Sequence, residues 1–103
     1  MKFLRFATMD TVKVAEVAKA SDEVWGSPPA GIKIVASYVC LGIAFPGTPP
    51  HTVVAIQVIE AESAEVIAAT GYPVELAGAT IWDVPVLELP LAGAAGEEKK
   101  LRR

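Results

Sequence analysis

From Ile34 to Ile59 the chain carries no aspartate, glutamate, lysine or arginine. A stretch of that length either crosses a membrane or is buried on both sides in a folded core, and its interior decides between the two. Pro46-Gly47-Thr48-Pro49-Pro50 cuts it into pieces of twelve and nine residues, each well short of the ~20 that a spanning helix needs. Both pieces are rich in Val and Ile, which suit a pleated surface better than a helix. The expectation is two apolar strands joined by a proline-rich loop, in a chain that does not enter a membrane. The start of the chain, Met1-Lys2-Phe3-Leu4-Arg5-Phe6, places an arginine where a secretory leader would continue its apolar segment, and no small-residue cleavage site follows. A cytoplasmic location is therefore expected.

At 103 residues the chain fits one domain. Apolar residues make up 52% and charged residues 20%, which excludes intrinsic disorder. The net charge of −3 is unevenly placed: residues 91–103 hold four basic and two acidic groups, leaving five basic and ten acidic in the rest. So acidic a body is a poor partner for nucleic acid. The basic cluster Lys99-Lys100-Leu101-Arg102-Arg103 follows two glutamates, lacks interleaved aromatics and reads as a solvated terminus. One cysteine excludes an internal disulfide, and one histidine argues against a zinc site, so no metal is expected. No Gly-rich phosphate loop, CxxC pair or G-x-S-x-G elbow occurs, so no cofactor is expected either.

The periodicity predicts a strand at Phe3–Met9, then a helix from Asp10 to a Gly26-Ser27-Pro28-Pro29 stop, with Val14, Val17, Ala18 and Val24 on its apolar face. A long second strand is predicted over Ile32–Phe45, with Ile32, Ile34, Ala36, Tyr38 and Cys40 on one side and Val35, Val39 and Leu41 on the other, both sets apolar, and a third strand over Thr52–Ile59. A short second helix covers Glu62–Thr70, with Gly71 as its stop. Residues 72–78 are predicted as a connector or a short strand, and a last strand covers Thr80–Leu89, interrupted by Pro85. The order β-α-β-β-α-β is that of ferredoxin-like α+β folds. Right-handed crossovers give an antiparallel four-stranded sheet of order 4-1-3-2 with two helices on one face. Pro85 then falls on an edge strand, where proline is tolerated. Residues 1–90 form the domain and 91–103 a flexible tail.

Two segments carry a resemblance. Pro28-Pro29-Ala30-Gly31-Ile32-Lys33, ahead of the second strand, and Glu60-Ala61-Glu62-Ser63-Ala64-Glu65, at the acidic start of the second helix, resemble segments of the DUF3303-type proteins. These belong to the dimeric α+β barrel superfamily, which also holds small antibiotic-biosynthesis-type monooxygenases. The resemblance spans residues 1–90, although the proline-rich loop is longer in this chain. It implies a homodimer of ferredoxin-like subunits and no particular catalytic residue, because the superfamily shares a scaffold rather than one active site.

Four residues are candidates for a ligand-binding site: Arg5, Ser37, His51 and Gln57. Arg5 and Gln57 interrupt the apolar alternation of the two strands placed at the centre of the sheet, and Ser37 interrupts the second strand. A buried polar group must find a partner or a ligand, since leaving it unpaired costs about 1–3 kcal/mol or more. If these three lie on the face away from the helices, they line a cavity that a second subunit closes. His51, where the third strand begins, reads as a structural residue of the loop or strand end, with a general base at neutral pH as the alternative. Cys40 reads as a small buried hydrophobe, and Trp25 as a plug between helix and sheet. Trp82, beside Asp83, reads as an interface anchor, and Glu60, Glu62 and Glu65 as charges favoured by a helix start.

Two functions fit these features. One is a small homodimer that binds a small apolar molecule between the sheet and its partner. The other is a cofactor-independent enzyme of monooxygenase or isomerase type on the same scaffold, since such chemistry can work from an apolar cavity with few polar groups. A homodimer is expected in either case: an apolar edge strand and an uncovered apolar sheet face both call for cover.

Overall fold

A computed structural model describes residues 1–102. The chain runs β1 (Lys2–Asp10), α1 (Val14–Gly26), β2 (Ile32–Val39), β3 (Thr52–Ala61), α2 (Ala64–Leu76), β4 (Thr80–Pro85) and α3 (Ala94–Arg102), with a 3-10 turn at Thr11–Lys13 ahead of α1. All neighbouring strands are antiparallel, in the order β2-β3-β1-β4. This is the 4-1-3-2 series counted from the other edge. No helix among the described residues is long and apolar enough to cross a membrane.

Asp10 ends β1 and starts the helical region, its carboxylate accepting a hydrogen bond from the Val12 backbone N–H at 3.0 Å. α1 then lays its apolar stripe on the sheet. Val17 is 4% exposed and packs with Ala7, Met9, Val74 and Ala79, flanked by Val14 and Val24. Ala18, expected on that stripe, is exposed. Trp25, at the far end of α1, joins a second cluster built on Ile59, Ala61 and Ile67. Truncating Val17→Ala is expected to cost about 1–3 kcal/mol, read as a lowered midpoint in urea with an unchanged slope. A loss below about half a kcal/mol would mean that α1 does not hold the sheet through this residue.

Four expectations need correction. First, α2 does not stop at Gly71. It runs on to Leu76 and contains Pro73, and the positive-φ glycine that follows it is Gly78 (φ 123°). Gly71 is buried inside the helix for a reason of packing: a Cβ there would lie 3.2 Å from Nη2 of Arg5. Second, the strands that flank the loop and the tail are shorter than predicted. β2 ends at Val39 rather than Phe45, and β4 at Pro85 rather than Leu89. Beyond β4 one more backbone bond, from Val86 N–H to the Lys2 carbonyl, and a 2.7 Å ion pair between Lys2 and Glu88 keep the chain alongside β1. That pair raises the Lys2 pKa and lowers that of Glu88.

Third, residues 94–102 of the tail are helical, so the described chain has three helices. None of the α3 residues is buried. The helix is laced by i,i+3 and i,i+4 ion pairs, Glu97 with Lys100 and Glu98 with Arg102, each of which adds about 0.2–0.5 kcal/mol to an exposed helix. Fourth, β2 does not alternate evenly. A register shift between Ile34 and Ala36 leaves Val35 bulged out. Ile32 and Ile34 point to the helix side, as do Ser37 and Val39 after the bulge, whereas Ala36 and Tyr38 point away. An apolar set that looked continuous in sequence is thus split between the two faces.

The other face of the sheet is covered in part by the chain itself. The loop after β2 turns back with Cys40 N–H bonded to the Val54 carbonyl, and brings Phe45 edge-on to Phe6 with ring centroids 6.1 Å apart. Cys40 lies just past the strand, partly buried. A shallow groove remains there, bounded by Phe6, Thr8, Phe45, Pro46, Trp82 and Val84.

Candidate functional site

Arg5 stands at the middle of β1, directly opposite Gln57 on β3 and Asp83 on β4. Gln57 in turn stands opposite Ser37 on β2. One polar rank, Asp83-Arg5-Gln57-Ser37, therefore crosses all four strands. Register fixes its face. Ala7 and Met9, two and four residues along from Arg5, belong to the core under α1, and Phe3, two residues back, belongs to the cluster around Ile59. The rank lies on the helix side and separates the two apolar clusters from each other. The three sequence candidates on strands do share a face, but it is the covered one, so a cavity closed over them by a partner's sheet is ruled out.

Arg5 is only 2% exposed and is held from three directions. Its Nε donates to Asp83 Oδ1 at 2.7 Å and its Nη2 to Asp83 Oδ2 at 3.1 Å, a two-point grip. Nη2 also donates to the Ile67 carbonyl at 2.9 Å and to Thr70 Oγ1 at 3.0 Å, while the Thr70 hydroxyl donates to the same carbonyl. The missing Cβ of Gly71 makes the room for this. Nη1 takes no hydrogen bond among the described residues. Since no buried side-chain nitrogen or oxygen lacks a partner, Nη1 must reach open volume.

Arg5 is among the residues that line a cleft of about 200 Å³ between α1 and the sheet. Its floor is Arg5, Gln57 and Ser37 together with the next rank along, where Ala7 stands opposite Ala55 and Ala55 opposite Val39. Two alanines face to face at the sheet centre leave the space that larger side chains would fill. The roof is the α1 stripe, from Val14 and Val17 to Ser21 and Asp22. Exposed Ser37 and Val39 mark the open side, at the β2 edge. Within it, Gln57 Nε2 donates to Ser37 Oγ at 3.4 Å, a long bond that leaves the Gln57 carbonyl oxygen and the Ser37 proton free for something else.

His51 does not join this site. It is exposed at the end of the loop with φ 61°, and its carbonyl accepts the Thr11 backbone N–H at 2.9 Å. Its place is that of a turn residue in the left-handed region, where His is among the tolerated types. Sequence reasoning missed Asp83, Thr70 and Gly71. For Asp83 a signal existed: it alternates with Trp82 in a strand neighbouring β1, so it was bound to fall on one face with either Arg5 or Phe6. No group of three or more His, Cys, Asp or Glu residues that could hold a metal ion occurs among the described residues.

No known family profile matches the chain, and neither does any curated protein. The DUF3303-type resemblance is therefore not supported. Among solved structures, the chain is similar to a DUF3240 family protein from Shewanella baltica OS155. The two are 11% identical, and the match covers 86% of this chain and 93% of that one with a TM-score of 0.49.

Proposed function

We infer that this protein is a small-molecule-binding module whose site is the cleft between α1 and the sheet. One observation carries the reading: an otherwise apolar lining contains a buried guanidinium with a free N–H, beside an amide oxygen and a hydroxyl that are free as well. Convergent polar groups in an apolar cleft are what a ligand site needs for orientation. The size restricts the ligand, because an apolar cavity of roughly 150 Å³ already accepts benzene. Nothing in the lining favours the alternative of a cofactor-independent monooxygenase or isomerase, whose candidate base, His51, stands elsewhere.

The test uses benzene itself. A concentration equal to its Kd is expected to raise the melting temperature by about 2–3 °C. Ala18 of α1 borders the cleft at its open side, and Ala18→Phe, which fills the cleft from there, is expected to abolish the rise. No rise in the wild type, together with the bare polypeptide mass in native mass spectrometry of freshly purified protein, would remove the binding reading.

The second half of the reading is a homodimer of ferredoxin-like subunits. Its support is the open face of the sheet, where Leu4, Ile56 and Val58 lie between Tyr38 on one edge and Trp82 and Val84 on the other. Tyr38 and Trp82 are 60% and 52% exposed. Four strands about 4.8 Å apart and roughly 30 Å long present on the order of 500 Å² per copy. Two such faces give about 1,000 Å² before the part under the Phe45 loop is subtracted, the size of a weak or transient contact unless further surface joins it.

A further inference from the structure

We propose that the occupant of the cleft is an uncharged molecule bearing a carboxamide or a similar carbonyl next to an N–H, and not a carboxylate. The proposal rests on the binding reading above and narrows it to a ligand class.

An arginine in a pocket ordinarily suggests an anion, but here the charge is already spent. Asp83 grips the guanidinium at two points, so the Arg5–Asp83 unit is neutral as a whole. The remaining charged side chain in the lining is Asp22, on α1, which is negative. A carboxylate entering this cleft would lose water on apolar walls and meet no uncompensated cation, while an acid stood at its side. Burial of an ion without a counter-ion is strongly disfavoured. An uncharged carbonyl escapes both costs and still accepts from Arg5 Nη1.

The order of the polar groups gives the second half of the argument. Across the rank they read donor, acceptor, donor: Arg5 Nη1, the Gln57 carbonyl oxygen, and the Ser37 hydroxyl, whose oxygen already accepts from Gln57. A carboxamide presents its oxygen to the first and an N–H to the second. A carboxylate presents an oxygen to both and meets the Gln57 oxygen with a lone pair. The open volume, about 200 Å³, suits a ring of benzene size with one such group attached.

The experiment compares benzamide, benzoate and benzene at pH 7 on the full chain, followed through the backbone amide resonances of Ala7, Ala55 and Ser21. Benzamide is expected to bind at least tenfold more tightly than benzoate. In Gln57→Leu, checked for folding by the dispersion of the same spectrum, benzamide is expected to weaken about tenfold, the loss of one hydrogen bond to a buried acceptor, while benzene is little changed. Ser37→Ala serves as a milder second variant and should weaken benzamide without affecting benzene. Benzoate binding as tightly as benzamide, or benzamide binding unchanged in Gln57→Leu, would overturn the ligand class and leave the cleft as a binding site. Failure of all three probes to shift any of these resonances would overturn the binding reading itself, and this proposal with it.

Discussion

Asp83→Ala is expected to remove about 3 kcal/mol of stability, a large share of the roughly 5–15 kcal/mol available to a domain of this size. The cause is what the substitution leaves behind. Arg5 stays beneath α2 with its charge uncompensated, keeping the Ile67 carbonyl and the Thr70 hydroxyl but neither carboxylate oxygen. Asp83 is partly open to water, with 19% of its side chain exposed, which places the loss at the lower end of the range for broken buried pairs. Replacing both partners by apolar residues, Arg5→Met with Asp83→Leu, is expected to restore most of the loss, since neither change then strands a buried charge. Urea denaturation of the two single variants and the double variant checks this. A double variant as unstable as the two single losses added together would mean that the grip on Arg5 is not the source of the effect.

On the proposed homodimer reading, the wild type is expected to sediment as a dimer at micromolar concentration and a Val58→Arg chain as a monomer. Val58 sits on β3 between Leu4 of β1 and Ala36 of β2, near the middle of the open face. A two-fold contact meets every residue twice, so one substitution brings two arginines into the same apolar interface. Desolvating them without partners costs several kcal/mol, and about 4 kcal/mol already weakens association a thousandfold. A wild-type chain that sediments as a monomer at that concentration would end the dimer reading.

How far the site could be read from sequence depends on the kind of interaction that makes it. The polar interruptions at Arg5, Ser37 and Gln57 were visible because a strand's period of two exposes any break in an apolar set. The register that aligns them follows from the strand order and the alternation together. Their face was not legible, because both sets of β1 are apolar enough to be buried: Phe3, Ala7 and Met9 on one side, Leu4 and Phe6 on the other. Gly71 was misread for a related reason. A glycine after an Ala-rich helical run is a common helix stop, and only the guanidinium beneath it shows why the helix needed a residue without a side chain there. Helix α3 was missed because its pattern has no apolar stripe. It is laced by local ion pairs, and periodicity arguments do not detect those.

The bulge at Val35 makes β2 a signal with a phase slip. Up to Ile34 the even-numbered positions face the helices, and from Ser37 onward the odd-numbered ones do. A saturation scan of this strand should therefore change parity midway: tolerance of polar residues at 33 and intolerance at 32 and 34 give way to the opposite assignment of faces beyond 36. Deleting Val35 would restore an unbroken period without turning the cleft wall, because Ala36 would follow Ile34 directly and Ser37 and Val39 would stay on the helix side; the bulge is an extra residue that the strand absorbs while holding that wall in place.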